Sequence, residues 1–169
     1  MNSIFKTIST LFLGMLCLPL LVSAQTIPSP EAYLGYKVGT KFTRHHQIVS
    51  YFNTIAKAKP DMVKLIPYGK TNEGRDLLVA AVGTPENIAQ LEQIRKHNKG
   101  IVEGTVSDLN QPAIVWLSYN VHGNEPASSE AALLTLFALV DPANIKTKEW
   151  LKNTLVIIDP CINPDGRDR

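Results

Sequence analysis

Residues 113–140 read AIVWLSYNVHGNEPASSEAALLTLFALV, an apolar run, a short polar segment and a second apolar stretch. The first run, Ala113–Leu117, is unbroken rather than alternating, and so is LVII at Leu155–Ile158. Strands that are apolar on both faces are typical of a sheet covered by helices on both sides. Between them, Pro126–Val140 is apolar nearly all round from Ala131 onward, which indicates a helix buried on more than one side. This order predicts a right-handed crossover between parallel strands.

The residues before this unit predict a helix and a β-hairpin. Apolar residues at helical spacing favour a helix from Arg44 to Lys59, which Pro60 ends. Two strands, Met62–Tyr68 and Asp76–Val82, are joined by a glycine-bounded turn and predict a hairpin. Together with the crossover, this predicts an α/β domain with a mixed, mainly parallel sheet between helices.

A further helix is expected between the hairpin and the crossover unit. Thr84-Pro85-Glu86 has the composition of a helix start, and the helix is expected to run to about Asn98, ahead of Gly100. At the other end of the domain, residues 25–43 contain two prolines and two glycines and predict an irregular lead-in. The domain itself is therefore assigned to residues 44–169.

The first 24 residues have the features of a secretory signal peptide. A weakly basic start is followed by an apolar run and by Val22-Ser23-Ala24, the small residues of a cleavage site. A membrane anchor is the alternative, but the apolar run is short for a span and no basic residues follow it. We expect a secreted or periplasmic protein without a stable membrane anchor after cleavage. Of the two cysteines only Cys161 remains, and we expect it to be a buried residue after a strand.

The net charge of the chain is +2, and no run of like charges marks a tail. A nearly neutral chain gives no electrostatic reason to expect nucleic acid or an anionic membrane as a partner. The charge of the chain therefore does not favour a function in nucleic-acid binding.

His122 and Glu125 form the candidate metal site. They follow an apolar strand at its carboxyl end, where open α/β sheets bind ligands. Zinc accepts imidazole nitrogen and carboxylate oxygen, and Gly123 is expected to let the backbone turn tightly between the two residues. The alternative is a loop histidine next to a helix-capping glutamate, and the spacing by itself does not decide between them.

Three short motifs occur in order: GKTNEGRDLLV (69–79), HGNE (122–125) and NPDGR (163–167). In this order and at these distances they resemble the zinc carboxypeptidase family, the metallopeptidases related to carboxypeptidases A and E. The resemblance runs from about Tyr36 to the last residue. Asn124 stands where the pancreatic enzymes carry an arginine, so HGNE is more similar to the carboxypeptidase E and N branch and to bacterial members.

The resemblance implies a mixed sheet between helices and a catalytic zinc held by two histidines and a glutamate, with His122 and Glu125 as the first two ligands. It implies hydrolysis of C-terminal residues from a peptide or protein substrate. The resemblance also implies a third ligand, a histidine, together with a general base and an oxyanion arginine, all further along the chain. No histidine follows His122, and these groups are expected beyond Arg169. The chain is thus expected to be the amino-terminal part of a catalytic domain and to be inactive by itself.

Two other functions remain open. The aspartoacylase and succinylglutamate desuccinylase group, which cleaves N-acyl amino acids, also uses His-Gly-Asn-Glu. A non-catalytic fragment that binds metal weakly is the third hypothesis.

The residues outside the metal motif are given structural interpretations. Asn163-Pro164-Asp165-Gly166 has the composition of a type I turn beside the site. Glu73-Gly74-Arg75 predicts a hairpin turn with an ion pair. His45 and His46 are expected to be exposed early in a helix. Arg167 and Arg169 have the geometry to face a substrate carboxylate but receive no assigned role. The strand Leu155–Ile158 is expected to lack its next neighbour in the sheet.

Overall fold

The computed structural model describes residues 27–169, and the predicted signal peptide lies outside the described residues. A four-stranded sheet forms the centre of the fold. Its strands are β1 (Val63–Lys70), β2 (Asp76–Val82), β3 (Ala113–Ser118) and β4 (Thr154–Asp159). The spatial order is β1-β2-β4-β3. The pair β3/β4 is parallel, whereas β1/β2 and β2/β4 are antiparallel. The predicted α/β class with a mixed sheet is confirmed.

Seven helices surround this sheet within the described residues. They are α1 (Pro30–Leu34), α2 (His45–Ala58), α3 (Pro85–Ala89), α4 (Leu91–Val102), α5 (Ala127–Val140), α6 (Ile145–Lys152) and α7 (Pro164–Asp168). The short helix α1 lies within the segment that the sequence predicts to be irregular. None of the described helices has the length and apolar character needed to cross a membrane.

Helices α2 and α5 build the main core against one face of the sheet. The apolar spacing of α2 places Ile48, Phe52 and Ile55 in that core, where each is fully buried. From α5, Leu133 and Leu136 meet them. The hairpin and the parallel crossover are therefore joined through one apolar layer, which fixes the carboxyl ends of β3 and β4 relative to α2.

The outer strand of the sheet differs from the prediction. We expected Ala113–Leu117 to be buried on both faces, but on β3 the residues Ile114, Val115 and Trp116 are 37%, 41% and 62% exposed. The expectation that Leu155–Ile158 lacks a neighbour is also wrong, because β4 lies between β2 and β3. Apolar composition marks a strand but does not say which strand lies at an edge, and here β3 forms one edge of the described sheet and β1 the other.

The predicted helix from Pro85 to about Asn98 is two helices, α3 and α4, that meet at Gln90. Gly100 does not stop the second helix, which continues to Val102. A β-carbon on Gly100 would lie 2.6 Å from the side chain of Val106. The glycine is therefore explained by the close approach of Val106, which follows the helix, and not by helix termination.

Candidate metal centre

The HGNE loop lies at the carboxyl end of β3, beside the end of β4. The Tyr119 N–H still donates to the Asp159 carbonyl (2.9 Å), so parallel pairing continues one residue past β3. At the next residue, Asn120, φ is 57° and the chain turns away from the sheet. Asparagine adopts this left-handed conformation more readily than most residues. The loop then runs through residues 121–126 to the start of α5.

His122 and Glu125 face each other across this loop. His122 Nδ1 lies 3.2 Å from Glu125 Oε2, and the two side chains are 71% and 62% exposed. The Glu125 N–H donates to the His122 carbonyl at 3.2 Å, and this turn brings the side chains to the same side of the loop. Both donor atoms are thus adjacent and open to solvent.

The donor set fits part of a zinc site. Two ligand atoms at 2.0–2.2 Å from a tetrahedral zinc lie roughly 3.3–3.6 Å apart, close to the separation of His122 Nδ1 and Glu125 Oε2. Helix capping does not explain Glu125, because the N-cap of α5 is Pro126 and no side chain caps the helix. Among residues 27–169 no group of three His, Cys, Asp or Glu side chains has a metal-binding arrangement. The described residues therefore bring two donors together and not three.

Asn120 connects the loop to its surroundings, a role that sequence analysis missed. The side chain is buried, and its Nδ2 donates to the His122 carbonyl at 2.7 Å. Its Oδ1 accepts from Ser129 Oγ (2.8 Å) and from Arg167 Nη1 (2.7 Å). Its backbone N–H donates to Ser128 Oγ at 2.7 Å. The carbonyl of the histidine is therefore held by a side chain whose oxygen is itself held by two donors, Ser129 and Arg167.

Arg167 lies behind the HGNE loop and does not face a substrate. Its side chain is 0% exposed. Nε and Nη2 donate to the Thr43 carbonyl at 3.1 and 2.7 Å, and Nη1 also donates to the Pro126 carbonyl at 2.6 Å. Glu130 Oε1 lies 3.7 Å from Nη2, and the guanidinium carbon stacks 4.5 Å from the centroid of the Phe42 ring. Burial lowers the pKa of this guanidinium, while the carboxylate of Glu130 opposes that change.

The NPDGR motif forms the short helix α7 instead of the predicted type I turn. Asn163 caps it, because Asn163 Oδ1 accepts from the Gly166 N–H at 3.0 Å. The amide nitrogen of the same side chain donates to the Val121 carbonyl, also at 3.0 Å. The first residue of the motif therefore both caps α7 and reaches directly to the HGNE loop.

The hairpin turn is attached to the opposite side of α7. Arg75 pairs with Glu73, as predicted, and also with Asp165 at 2.6 Å and Asp168 at 3.5 Å. Thr71 Oγ1 donates to Asp165 Oδ1 at 2.7 Å. Burial favours a higher pKa for Asp165, but its hydrogen bonds from Thr71 and Arg75 outweigh burial and hold that pKa below its usual value. The three sequence motifs therefore meet at one end of the sheet, with α7 between the other two.

The remaining arginine of this motif, Arg169, pairs with Glu73 at the hairpin turn. Its side chain is 72% exposed, so it belongs to the surface of the contact between the hairpin and α7.

His45 is buried, contrary to the expectation of solvent exposure. Only 4% of the residue is exposed, because α2 begins against the hairpin and α7. Its Nε2 lies 2.8 Å from the Asp76 carbonyl, and since a carbonyl only accepts, Nε2 carries the hydrogen. Its Nδ1 has no partner among the described residues. Burial lowers the pKa of the imidazole, although the bond to Asp76 and the charge of Asp168 act in the opposite direction.

Cys161 is buried just after β4, as predicted, with 2% of the residue exposed. Burial raises the pKa of its thiol. Nearby, the Asp159 carboxylate at the end of β4 accepts from the Tyr68 hydroxyl at 2.7 Å. Both groups are therefore held within the fold, and neither is presented to the loop that carries His122.

The fold is similar to solved carboxypeptidases. The structure of thrombin activatable fibrinolysis inhibitor matches with a TM-score of 0.60 and 20% identity over 86% of this chain and 31% of that chain. Carboxypeptidase A from Helicoverpa armigera matches with a TM-score of 0.55 and 23% identity over 76% of this chain and 26% of that chain.

A putative carboxypeptidase A from Shewanella denitrificans gives a TM-score of 0.55 and 20% identity, covering 76% of this chain and 27% of that chain. The chain thus spans between a quarter and a third of the length of these three proteins. At these identities the likeness concerns the fold. The sequence pattern of the family described as zinc carboxypeptidase matches residues 48–169, which is most of the chain and includes all of HGNE and NPDGR. This chain belongs to the zinc carboxypeptidase family.

Proposed function

We propose that this chain supplies the amino-terminal part of the active site of an exported zinc metallocarboxypeptidase, and that His122 and Glu125 are two of its zinc ligands. The observation that carries the proposal is the 3.2 Å approach of His122 Nδ1 to Glu125 Oε2 in an exposed loop at the carboxyl end of β3. The substrate would be a peptide or protein that loses its C-terminal residue.

Each side chain of the loop has a defined task in this proposal. His122 presents an imidazole nitrogen, while the Asn120 amide holds the carbonyl of the same residue at 2.7 Å and limits its movement. Glu125 presents an anionic oxygen, and the exposure of both side chains leaves room for substrate and solvent. Zinc bound here would lower the pKa of a bound water and polarise the scissile carbonyl.

The remaining catalytic groups would come from residues outside 27–169. A catalytic zinc site of this kind supplies three protein ligands and reserves a position for water, and the described residues bring two donors together. We therefore propose that residues 25–169 by themselves bind zinc weakly and show no peptidase turnover. A third ligand, a general base and an oxyanion donor from a longer chain would complete the site.

Export is the second part of the proposal. It rests on the apolar run that ends in Val22-Ser23-Ala24. Mass spectrometry of the exported protein should show a mature chain that begins at Gln25. An intact chain beginning at Met1 in the exported fraction would contradict the signal-peptide assignment.

The decisive experiment compares substrates on the complete gene product. Zinc-loaded protein is assayed with C-terminally blocked and unblocked peptides and with N-acyl amino acids, each with and without a chelator. We expect release of C-terminal residues from unblocked peptides only, and loss of that activity on chelation and in His122→Ala. Cleavage of N-acyl amino acids without peptide cleavage would replace the proposal with the deacylase alternative. Inactivity on both substrates, with zinc bound, would favour the non-catalytic hypothesis.

A further inference from the structure

We infer that Arg167 is a positioning residue for the HGNE metal site and that it acts through Asn120. The inference rests on the proposed function, because it assumes that His122 and Glu125 bind zinc. Arg167 itself touches neither donor side chain, and its effect on metal binding would be indirect.

The guanidinium of Arg167 bridges the two ends of the HGNE loop. One nitrogen, Nη1, donates to Asn120 Oδ1 at 2.7 Å and to the Pro126 carbonyl at 2.6 Å. Asn120 lies two residues before His122, and Pro126 directly follows Glu125. The separation of the two ends of the loop is therefore set by one rigid planar group.

The rest of the guanidinium is anchored to a different part of the chain. Nε and Nη2 both donate to the Thr43 carbonyl, which precedes α2. Glu130 supports the same segment, since Glu130 Oε1 accepts from the Thr43 N–H at 3.0 Å. Arg167 thus connects the loop to Thr43, a fully buried residue just before α2.

A guanidinium suits this position and an ammonium does not. A buried charge needs its donors satisfied, and the planar fork of arginine reaches three carbonyl-type oxygens in fixed directions. Lysine would keep the charge, but one nitrogen at the end of a flexible stem cannot reproduce contacts to Thr43, Asn120 and Pro126 together. Arg167→Lys therefore keeps the positive charge but loses the simultaneous hydrogen bonds to Thr43, Asn120 and Pro126.

Asn120 carries the effect from Arg167 to the histidine. Arg167 and Ser129 both donate to Asn120 Oδ1, which orients the amide so that Nδ2 points at the His122 carbonyl. The same residue has the left-handed backbone conformation, with φ of 57°, at which the chain leaves β3 for the loop. Without Arg167, the amide loses one of its two orienting donors, and the Pro126 carbonyl loses its hydrogen bond.

The test uses the complete gene product and two matched arginine variants. Arg167→Lys is compared with Arg75→Lys, because Arg75 pairs with the carboxylates of α7 and has no hydrogen bond to residues 120–126. Zinc affinity is measured by competition with a chromophoric chelator, and cobalt-substituted protein reports the ligand geometry by visible absorption. We expect Arg167→Lys to weaken zinc binding about 10–100-fold and to change the cobalt spectrum, as losses of groups that orient metal ligands do. Arg75→Lys should lower the melting temperature and leave zinc affinity unchanged.

Hydrogen exchange on the zinc-free protein gives a second readout. The amides of residues 121–125 should exchange faster in Arg167→Lys than in wild type, relative to the amides of the core strands. If Arg167→Lys does not fold, Asn120→Asp keeps an oxygen opposite Arg167 but removes the donor to His122. It should weaken zinc binding in the folded protein and also lower stability, because a carboxylate oxygen then faces the His122 carbonyl.

The inference is overturned if zinc affinity and loop exchange in Arg167→Lys match wild type or change only as they do in Arg75→Lys. It is also overturned if a folded Asn120→Asp protein binds zinc as wild type does. Failure of the proposed function has a different signature, namely zinc binding that persists in His122→Ala. In that case the exchange measurement on zinc-free protein still decides whether Arg167 orders the loop.

Discussion

Gly123 and Gly166 are in backbone contact. A β-carbon on Gly123 would lie 2.1 Å from the Gly166 carbonyl oxygen and 2.2 Å from its carbonyl carbon. The hydrogen bond from the Asn163 side chain to the Val121 carbonyl joins the same two segments, α7 and the HGNE loop. Gly123 does not have a positive φ, so the tight-turn role expected from the sequence is not the reason for this glycine. The residue is required because the HGNE loop and α7 approach each other with no space for a side chain.

Replacing Gly123 with alanine should therefore separate the loop from α7. We expect a loss of about 1–3 kcal/mol in the free energy of unfolding, the usual cost of placing an extra group in a packed site. Zinc affinity should fall as well, because His122 and Glu125 flank the displaced residue. Asn124→Ala is the matched control, since that side chain is exposed in the same loop. Equal stability and zinc affinity in both variants, from denaturant titration and chelator competition, would contradict the contact.

Substitutions of the two proposed zinc ligands should affect zinc binding much more than stability. His122→Ala and Glu125→Ala should each remove zinc binding while changing the free energy of unfolding of the zinc-free protein by less than about 0.5 kcal/mol. The reason is exposure, because 71% and 62% of the two side chains already face solvent. Isothermal titration with zinc and urea unfolding would measure the two effects. His46→Ala, which removes an exposed histidine from α2, should bind zinc as wild type does.

The sequence predicts most of the architecture because its periodic signals are local. The spacing of Ile48, Phe52 and Ile55 predicts α2, and the apolar runs at Ala113–Leu117 and Leu155–Ile158 predict the parallel pair. These patterns show which side of a helix or strand is buried, and each segment contains that information in its own spacing of apolar residues. Strand order is not, since it depends on contacts between distant segments. The exposed position of β3 was therefore not predictable from its composition.

In the candidate site, too, contacts between residues close in sequence were predicted and contacts between distant residues were not. His122 and Glu125 are close in sequence, so their approach was predicted from spacing and position. Arg167 lies 47 residues from Asn120, and nothing in either local sequence indicates their hydrogen bond. The burial of His45 is likewise set by residues from other elements, Asp76 and Asp168, which pack around the start of α2. Long-range polar contacts of this kind carry no periodic signal.

The buried His45 should make stability depend on pH. Its pKa in the folded protein lies below the ordinary value of 6.5, chiefly because of burial, so the unfolded chain binds the proton more readily. The contribution of His45 to stability should therefore be constant above about pH 7 and fall as the pH drops below 6.5, by at most about 1.4 kcal/mol per pH unit. The decline from this residue ends once the folded protein also takes up the proton.

Urea titrations between pH 7.5 and 5.5 would measure this dependence. His45→Gln keeps a donor for the Asp76 carbonyl without a titrating ring, and it should show a smaller decline over that range. His46→Gln is the matched control, because it changes the neighbouring histidine, which is exposed on α2. Identical curves for wild type and His45→Gln would show that His45 does not take up its proton on unfolding.

The exposed strand β3 predicts self-association of residues 25–169. One edge of β3 pairs with β4, and the other has no strand beside it in the described sheet. Trp116, on the same strand, is 62% exposed and adds a large apolar surface beside that edge. Unpaired strand edges and exposed apolar patches favour association, and charged side chains on an edge oppose it.

Trp116→Lys should therefore weaken association by roughly tenfold or more, since burying a large apolar side chain contributes about 1.5–3 kcal/mol. Val102→Lys is the control, because Val102 is 87% exposed but lies at the end of α4. Sedimentation equilibrium at several protein concentrations measures the effect. A monomeric wild-type fragment, or equal weakening by both substitutions, would show that β3 is not the associating edge.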